Sequence, residues 1–493
     1  MLALIALCFI LFFYIISRRH RGLCYPPGPT PLPIVGNLLS VLWESRKFKC
    51  HHLIWQSWSQ KYGNLLGLRL GSINVVVVTG IELIREVSNR EVFEGRPDGF
   101  FYTMRSFGKK LGLVFSDGPT WHRTRRFVLK YLKNFGYNSR FMNVYIGEEC
   151  EALVQLRLAD AGEPILVNQM FHITIVNILW RLVAGKRYDL EDQRLKKLCS
   201  LVMRLFKLVD MSGGILNFLP FLRHFVPRLI GFTELQEIHN ALHQYLREII
   251  KEHQENLQLG APKDVIDAFL IDMLESQDDK LTLDDLQVVC LDLLEAGMET
   301  VTNTAVFMLL HVVRNEDVQR KLHQEIDDII GRDRNHLLDD RIRMVYTEAV
   351  ILETLRISTV ASMGIPHMAL NDAKLGNYII PKGTFILLSL YELHHGPHWK
   401  DPETFRPERF LTKEGNILQD EWLIPFGIGK RRCIGEGLAR SELFMFLTHI
   451  LQKFHLRIPK NEPLPSTEPI DGLSLSAKQF RIIFEPRKTF KSI

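Results

Sequence analysis

The spacing of apolar positions along the chain predicts a mostly helical protein. Residues 290–313 are almost continuously apolar, so a buried central helix is predicted there. Residues 318–330 place charged and apolar side chains on opposite faces of a helix, which is expected at the surface and to end at Gly331. Residues 346–357 and 438–454 predict two further helices.

Strands are fewer and shorter. Runs of apolar and β-branched residues predict them at residues 68–70, 75–78, 375–378 and 384–390. Pro381-Lys382-Gly383 is expected to form the turn before the last strand. Because helix dominates and no repeat of fixed period occurs, the predicted class is mainly α with small β-sheets, an α+β fold.

The N-terminal pattern predicts a membrane anchor over residues 1–17. Residues 2–16 carry no charge and as a helix span about 22 Å, short of a hydrocarbon core of about 30 Å. The basic segment 17–21 follows at once, which favours an anchor with the rest of the chain in the cytosol. The alternative is a cleaved signal peptide, whose basic residues would precede the apolar run.

A basic and proline-rich hinge is predicted over residues 18–37. Five prolines within residues 26–33 exclude helix and indicate a stiff spacer. The next proline-rich stretch, 459–469, lies close to the chain end, so residues 38–493 are read as one catalytic domain. Prolines and glycines interrupt a second apolar patch at 211–232, which is either a membrane-dipping loop or ordinary core.

Charge and cysteine content exclude several classes. Sixty-one basic against 56 acidic residues leave a net charge of +5, which argues against a dedicated nucleic-acid binder. The seven cysteines are scattered and form no CxxC pair, so neither a disulfide framework nor a zinc ribbon is expected. A reducing compartment fits best.

One cysteine lies in an unusual setting. Residues 425–440 read PFGIGKRRCIGEGLAR, a glycine-rich loop that carries Cys433 to the start of a helix. The helix N-terminus and the adjacent Lys430, Arg431 and Arg432 favour a thiolate, which suits a soft metal. A lone cysteine completes no tetrahedral site. Cys433 could instead be a catalytic nucleophile, but the chain carries no sequence signature of a Cys-His enzyme family. A haem held by one axial thiolate is therefore the natural candidate for the group that Cys433 binds.

The pattern of this loop resembles the haem-binding loop of the cytochrome P-450 family. The matching residues are Phe426, Gly429, Arg431, Cys433, Gly435 and Ala439. Two other stretches resemble family motifs in the expected order: Glu353 with Arg356, and residues 405–410, FRPERF. The resemblance implies a triangular helical prism around a buried haem b. It also implies that Glu353, Arg356 and Arg409 form a charge network behind the loop.

Further implied haem contacts lie elsewhere in the chain. Trp121 and Arg125 resemble the family's W-x-x-x-R and, four residues apart, share one helix face. The residues expected to bind the haem are Arg96, Trp121, Arg125, His367, Phe426, Gly429, Arg431, Gly435 and Ala439, with Cys433 as the iron ligand. The four cationic side chains among them are candidates to bind the haem propionates.

Residues 296–300, AGMET, resemble the family's oxygen-activating segment. The resemblance implies that Gly297 leaves room for dioxygen, that the Thr300 hydroxyl donates to the distal oxygen and that Glu299 connects the site to bulk protons. The alternatives are structural: the Thr300 hydroxyl would only donate to a carbonyl of its own helix, and Glu299 would only pair with a nearby base. Val301 departs from the family, in which many members carry a second Thr or Ser.

Electrons are expected from outside the chain. No dinucleotide fingerprint follows a strand, so the resemblance implies NADPH acting through a reductase, with cytochrome b5 as a second donor. A basic face would dock this partner, with solvated surface residues as the alternative. Its expected members are Arg123, Arg126, Lys130, Lys133, Lys430, Arg432 and Arg440.

The substrate is expected to be lipophilic. By resemblance the pocket is lined by Phe100, Phe101, Phe107, Val114, Phe115, Ala296, Val360, Ile365 and Leu475, nearly all apolar. The chain is most similar to microsomal members, which implies the endoplasmic reticulum membrane. Among them it resembles insect enzymes that epoxidise a terminal double bond of a sesquiterpenoid methyl ester. Hydroxylation of other terpenoids, steroids or xenobiotics is the alternative, and a non-redox haem-thiolate isomerase or a haem sensor is the alternative from a different class.

Overall fold

The computed structural model describes residues 25–137, 140–275 and 281–487. The predicted anchor at 1–17 and the basic part of the hinge, 18–24, lie outside these ranges.

Helices make up most of the described chain. In chain order they are α1 Leu38–Glu44, α2 His51–Tyr62, α3 Ile81–Asn89, α4 Phe100–Met104, α5 Gly118–Asn134, α6 Arg140–Ala159, α7 His172–Ala184, α8 Gln193–Leu208, α9 Gly214–Phe218, α10 Phe232–Asn256, α11 Val265–Glu275, α12 Leu283–Arg314, α13 Glu316–Ile329, α14 Val345–Ser358, α15 Leu390–His395 and α16 Glu436–Lys453. Short 3₁₀ turns occur at Glu91–Phe93, Val167–Gln169, Pro220–His224, Leu338–Ile342, Pro407–Phe410 and Gly429–Arg431.

The strands form small sheets, which confirms the predicted α+β class. They are β1 Leu65–Leu70, β2 Ile73–Val78, β3 Pro164–Leu166, β4 His367–Met368, β5 Ala373–Leu375, β6 Tyr378–Ile380, β7 Phe385–Leu388, β8 Phe454–Arg457, β9 Pro469–Ile470, β10 Ser476–Ala477 and β11 Arg481–Pro486. The largest sheet has the order β1-β2-β7-β4, with β2 and β7 parallel. A second sheet has the order β3-β11-β8.

Two strand predictions were wrong in detail. Residues 375–378 form the turn of the β5–β6 hairpin rather than one strand, because Gly376 has a φ of +55° that a strand does not allow. The strand predicted at 384–390 ends at Leu388, and helix α15 begins at Leu390.

Helix α12 is the core of the molecule. Thr282 caps its first turn, since its hydroxyl accepts the Asp285 N–H while the Asp285 carboxylate accepts the Thr282 N–H. The helix therefore starts seven residues before the predicted boundary. In the described ranges it is the one helix long and apolar enough to cross a membrane, but 78% of its most apolar window is buried inside the protein. Helices α7, α10, α14 and α16 pack around it.

The apolar segment 211–232 is broken, as its prolines and glycines predict. Helix α9 ends at Phe218, and a 3₁₀ turn follows from Pro220. Beyond the turn Phe225 is 76% exposed and Leu229 is 84% exposed. This segment is not ordinary core over its second half.

Candidate active site

A cavity of about 400 Å³ lies between α12, α5 and the loop before α16. Its wall is largely apolar. Of the twelve residues predicted as metal, haem or catalytic residues, ten line it: Arg96, Trp121, Arg125, Thr300, His367, Phe426, Arg431, Cys433, Gly435 and Ala439. Gly429 and Glu299 do not, so the cavity collects most of the candidate site but not all of it.

Cys433 sits at one side of the cavity, three residues before α16. Its backbone N–H donates to the Phe426 carbonyl at 2.9 Å, and the Gly435 N–H donates to Sγ at 3.3 Å. Burial raises the pKa of the Cys433 thiol more than the Gly435 N–H lowers it. The helix N-terminus alone therefore does not hold a thiolate here, whereas a bound metal ion would take the proton off the sulfur.

The glycines of the loop serve different purposes. Gly429 has a φ of +72°, and a Cβ there would lie 2.1 Å from the Ser88 carbonyl oxygen. Position 429 therefore needs a glycine because the backbone of α3 lies against it, not because it faces the cavity. Gly435 lies on the cavity wall, where a Cβ would lie 3.8 Å from the Cys433 sulfur.

Three arginines converge at one edge of the cavity. The Arg96 guanidinium donates to the Val114, Ile365 and Pro366 carbonyls, and the Arg431 guanidinium donates to the Glu94 and Ser116 carbonyls. Arg125 donates to the Arg432 carbonyl at 3.0 Å. The Arg431 guanidinium carbon lies 3.7 Å from the Trp121 ring centroid, a cation–π contact.

These arginines are not neutralised by direct ion pairs. Among the described residues, no carboxylate forms an ion pair with the guanidinium of Arg96, Arg125 or Arg431. Burial, reinforced by repulsion from Arg431, lowers the pKa of Arg96 well below its usual range. Burial lowers the pKa of Arg431 to about 10 although Glu94 and Asp117 oppose it. Such a cluster calls for an anionic ligand, and the two carboxylates of haem b fit it.

His367 lines the same edge. Its Nδ1 lies 2.8 Å from the Phe93 carbonyl, so Nδ1–H donates there and Nε2 is left without a proton. Burial and the charge of Arg96 lower the pKa of His367 to about 3. A propionate contact through Nε2 therefore requires the ring to take up a proton.

The distal wall is formed by the middle of α12. Thr300 lines the cavity, and its hydroxyl donates to the Ala296 carbonyl at 2.7 Å, the backbone bond that a mid-helix threonine often makes. The helix is uninterrupted across Gly297. A Cβ on Gly297 would lie 2.7 Å from Leu179, so this glycine also allows α7 to pack closely on α12.

Glu299 faces away from the cavity. It is buried, with one carboxylate oxygen 3.3 Å from His172 Nε2 and the other 3.2 Å from Asn303 Nδ2. The same Asn303 amide donates to the Ser474 hydroxyl at 3.1 Å, and Ser474 lines the cavity. The position of Glu299 beside His172 therefore matches the predicted alternative, in which this acid pairs with a base.

The charge network behind the loop is assembled as predicted. Arg356 and Glu353 form a doubly hydrogen-bonded pair at 2.7 and 2.9 Å, with both side chains fully buried. Arg409 adds a contact to Glu353 at 3.0 Å. Arg356 also donates to the His394 and Pro402 carbonyls. The network links α14 to the segment that leads into the Cys433 loop.

The substrate end of the cavity agrees with most of the predicted lining. Six predicted residues line it: Phe101, Val114, Phe115, Ala296, Val360 and Ile365. Phe100, Phe107 and Leu475 do not line it; Phe107 is exposed and Leu475 is buried.

Sequence reasoning missed the buried charged group on the cavity wall, which comprises Arg105, Asp292 and Glu295 with His239 beside them. The signal was present, since two acids inside the apolar run of α12 require buried partners.

The predicted basic face is partly paired within the chain. Lys430 pairs with Glu91, while Arg432 and Arg440 both pair with Glu436. Arg126, Lys130 and Lys133 are exposed along α5 and form no ion pair with the residues that the structure describes. Helix α5 adjoins the Cys433 loop through the Arg125 contact. Three exposed cations therefore remain available beside the thiolate side of the cavity.

Comparison with known proteins agrees with this geometry. The family model described as cytochrome P450 matches residues 26–484. The chain is 99% identical to farnesoate epoxidase of Bombyx mori over 493 residues, covering all of both chains. It is 36% identical to probable cytochrome P450 305a1 of Drosophila melanogaster, covering 99% of this chain and 100% of the relative. It is 33% identical to human cytochrome P450 1A1, covering 96% of this chain and 95% of the relative.

Proposed function

The chain belongs to the cytochrome P450 family, and from this premise we propose that it epoxidises the terminal double bond of a farnesoate. The expected reaction converts methyl farnesoate to juvenile hormone III. The observation that carries the proposal is an apolar cavity with Cys433 on one side and Thr300 on its wall, in a chain nearly identical to a protein named farnesoate epoxidase.

The protein is a haem-thiolate monooxygenase that receives electrons from NADPH through a partner reductase. Bound haem supplies the activation of dioxygen and the transfer of one oxygen atom to the substrate. We propose Cys433 as its ligand, Phe426, Gly435 and Ala439 as contacts and the Arg96, Arg125 and Arg431 cluster as the site of its propionates. Gly429 supports this loop from behind, at the Ser88 carbonyl.

The remaining chemistry belongs to the chain's own side chains. The Thr300 hydroxyl, which donates to the Ala296 carbonyl, is the group on the distal wall that would hold a proton for dioxygen. Glu299 would supply that proton only after leaving His172, and the Asn303–Ser474 contact is the described link from it to the cavity. The apolar wall orients a lipophilic chain and excludes water.

We propose a membrane-anchored arrangement for the whole chain, with the anchor at 1–17, the hinge at 18–37 and the catalytic domain facing the cytosol at the endoplasmic reticulum. The exposed Phe225 and Leu229 would rest on the same membrane. The exposed cations of α5 would receive the reductase, or cytochrome b5 as a second donor.

The test is NADPH-dependent turnover by the full chain with a reductase in microsomes. Haem incorporation is checked first by the carbon-monoxide difference spectrum. Methyl farnesoate and farnesoic acid are supplied separately, and the products are resolved on a chiral column. Formation of a single epoxide enantiomer from either supports the proposal and identifies the form used. A normal thiolate spectrum without epoxide from either would refute it and direct attention to other terpenoids and xenobiotics.

A further inference from the structure

Three side chains that can bind a metal ion meet away from the catalytic cavity, between the start of α2 and the loop after β9. The Cys50 sulfur, one ring nitrogen of His52 and a carboxylate oxygen of Asp471 all lie within 4.8 Å of one another. Cys50 is 3% exposed and His52 is 1% exposed. The described lining of the cavity around Cys433 includes none of the three. This cluster therefore lies outside the catalytic site.

His52 is the member of the cluster that calls for a ligand. Both of its ring nitrogens are buried, and neither has a hydrogen-bond partner among the described residues. The ring packs against the Tyr391 ring at a centroid distance of 4.2 Å, a contact that satisfies neither nitrogen. A buried polar atom without a partner is costly. An imidazole nitrogen beside a sulfur and a carboxylate oxygen can instead bind a metal ion.

The other two members have lone pairs to offer. In the described part of the chain, the Cys50 thiol makes a single long hydrogen bond, 3.7 Å to the Pro469 carbonyl. Asp471 Oδ2 accepts the His51 N–H at 2.9 Å and lies 2.6 Å from His51 Nδ1, which leaves Oδ1 for a metal ion. His51 thus holds the carboxylate from behind, as the hydrogen-bond partners of metal-binding side chains do.

The local backbone allows the cluster to close around an ion. Cys50 is extended, with φ −126° and ψ 137°, immediately before the first turn of α2, and Asp471 directly follows β9. Zinc ligands lie about 2.0–2.3 Å from the metal and therefore about 3.3–3.8 Å from one another. Side-chain rotations that move the ligand atoms by about 1 Å would bring the three to these distances.

We propose that Cys50, His52 and Asp471 bind a Zn²⁺ ion, with water as the fourth ligand. The combination of sulfur, nitrogen and oxygen suits zinc, whereas Mg²⁺ and Ca²⁺ prefer oxygen ligands and Cu⁺ prefers sulfur. On binding, the Cys50 S–H bond breaks, the sulfur bonds to zinc and the proton passes to water. The thiolate and the carboxylate then balance both charges of the ion. The Asp471 side chain is 18% exposed, which gives the ion and the water an entry path.

Bound zinc would join the first turn of α2 to a loop that forms part of the cavity wall. From Asp471 this loop continues to Ser474, which lines the cavity. The intervening Leu473 N–H donates to the Phe206 carbonyl, near the end of α8, at 2.8 Å. Zinc that binds the folded chain stabilises it, so adding zinc to chelator-treated protein should raise the thermal midpoint.

The test is equilibrium dialysis of the full-length, haem-containing enzyme against Zn²⁺ after chelator treatment, with zinc and iron measured by mass spectrometry. We expect saturable binding of one zinc per haem iron. X-ray absorption at the zinc edge, where iron does not interfere, should show one sulfur at about 2.3 Å. Because haem occupies Cys433 in this preparation, that sulfur would come from another cysteine.

Cys50→Ser and His52→Phe should each weaken zinc binding at least about tenfold, and the phenylalanine keeps a ring packed on Tyr391. Their carbon-monoxide difference spectra should match the wild type, which shows that both variants fold. His253→Gln is the matched control. His253 belongs to a second cluster of three potential ligands, but its Nε2 already lies 3.0 Å from Asp264, so this variant should bind zinc as the wild type does.

Three results would overturn the inference. They are the absence of saturable binding in the wild type, equal zinc affinity in the wild type and in both Cys50→Ser and His52→Phe, and a zinc-edge spectrum with nitrogen and oxygen ligands alone. The spectrum is recorded on the wild type, so it decides the question even if a variant fails to fold.

Discussion

At the scale of single residues, buried charges divide into those the chain satisfies itself and those it leaves for a ligand. Glu353 and Arg356 are fully buried and satisfy each other. The Arg96, Arg125 and Arg431 guanidiniums have no carboxylate partner in the described chain. The first kind of charge holds the loop around Cys433 in place, and the second marks where an anionic group belongs.

Arg356→Leu is expected to abolish haem incorporation. Removing one partner of a buried pair costs about 3–5 kcal/mol, because Glu353 keeps its charge with only Arg409 beside it. The measurement is the carbon-monoxide difference spectrum together with the denaturation midpoint. Arg320→Leu is the control, since its pair with Asp317 is exposed and contributes about 0–1 kcal/mol. Equal holoenzyme yields from the two variants would contradict the structural role of the network.

Gly429→Ala should destabilise the Cys433 loop although Gly429 is not on the cavity wall. The added Cβ would lie 2.1 Å from the Ser88 carbonyl oxygen, and backbone cannot move aside cheaply. Gly415→Ala is the matched control, because Gly415 also has a positive φ, +81°, but has no neighbour within 4 Å. The haem content of Gly429→Ala should fall severalfold, whereas that of Gly415→Ala should stay close to the wild-type value. The free energy of unfolding of Gly415→Ala should lie within about 1 kcal/mol of the wild type. The reverse order would refute the packing explanation.

At the scale of elements, His51 joins the start of α2 to two distant segments. Its Nδ1 lies 2.6 Å from Asp471 and 3.5 Å from Asp210, while its backbone N–H donates to Asp471. Burial opposes protonation, but Asp210 and Asp471 outweigh it and raise the pKa of His51 from 6.5 to about 9. The loop that carries Asp471 continues into Ser474 on the cavity wall.

This junction predicts a pH-dependent stability. Because the pKa is higher in the folded than in the unfolded chain, the stabilisation is complete below pH 6.5 and is lost as pH rises through about 9. The thermal midpoint of the wild type should therefore fall between these values. His51→Gln should have a lower midpoint at pH 6 and a flatter profile. A wild-type profile unchanged by the substitution would show that His51 does not carry this dependence.

At the scale of the whole molecule, much of the architecture could be predicted from the sequence. The central helix, the helix over Val345–Ser358 and the final helix were each predicted to within a few residues at most boundaries, because long apolar periodicity outweighs local signals. The motif residues around Cys433 were found because glycine, cysteine and arginine have specific chemistry there. Most of the predicted site indeed lines one cavity.

The rest depended on contacts between distant segments. The sequence contains no indication that Gly429 faces Ser88, or that Glu299 turns toward His172. Arg105 pairs with Glu295, which lies 190 positions later in the chain. The 375–378 hairpin was missed because one glycine with positive φ reverses a run that otherwise has a strand composition.

The whole-molecule charge distribution predicts a salt-sensitive partner contact. Lys130→Glu with Lys133→Glu should lower reductase-supported turnover at low salt about tenfold, with the difference shrinking as ionic strength rises. The carbon-monoxide spectrum of the chemically reduced enzyme should not change. Glu252→Lys, an exposed charge reversal on α10, serves as the control. Equal salt dependence of the variant and the wild type would refute this docking surface.

The measurement that tests the central claim most directly is the origin of the oxygen atom in the product. Microsomes containing the full chain and a reductase are supplied with NADPH, ¹⁸O₂ and the farnesoate form that is turned over. The account predicts one ¹⁸O atom in the epoxide, strict dependence on NADPH and complete loss in Cys433→Ala. Product that carries oxygen from water, that forms without NADPH or that persists in Cys433→Ala would contradict it.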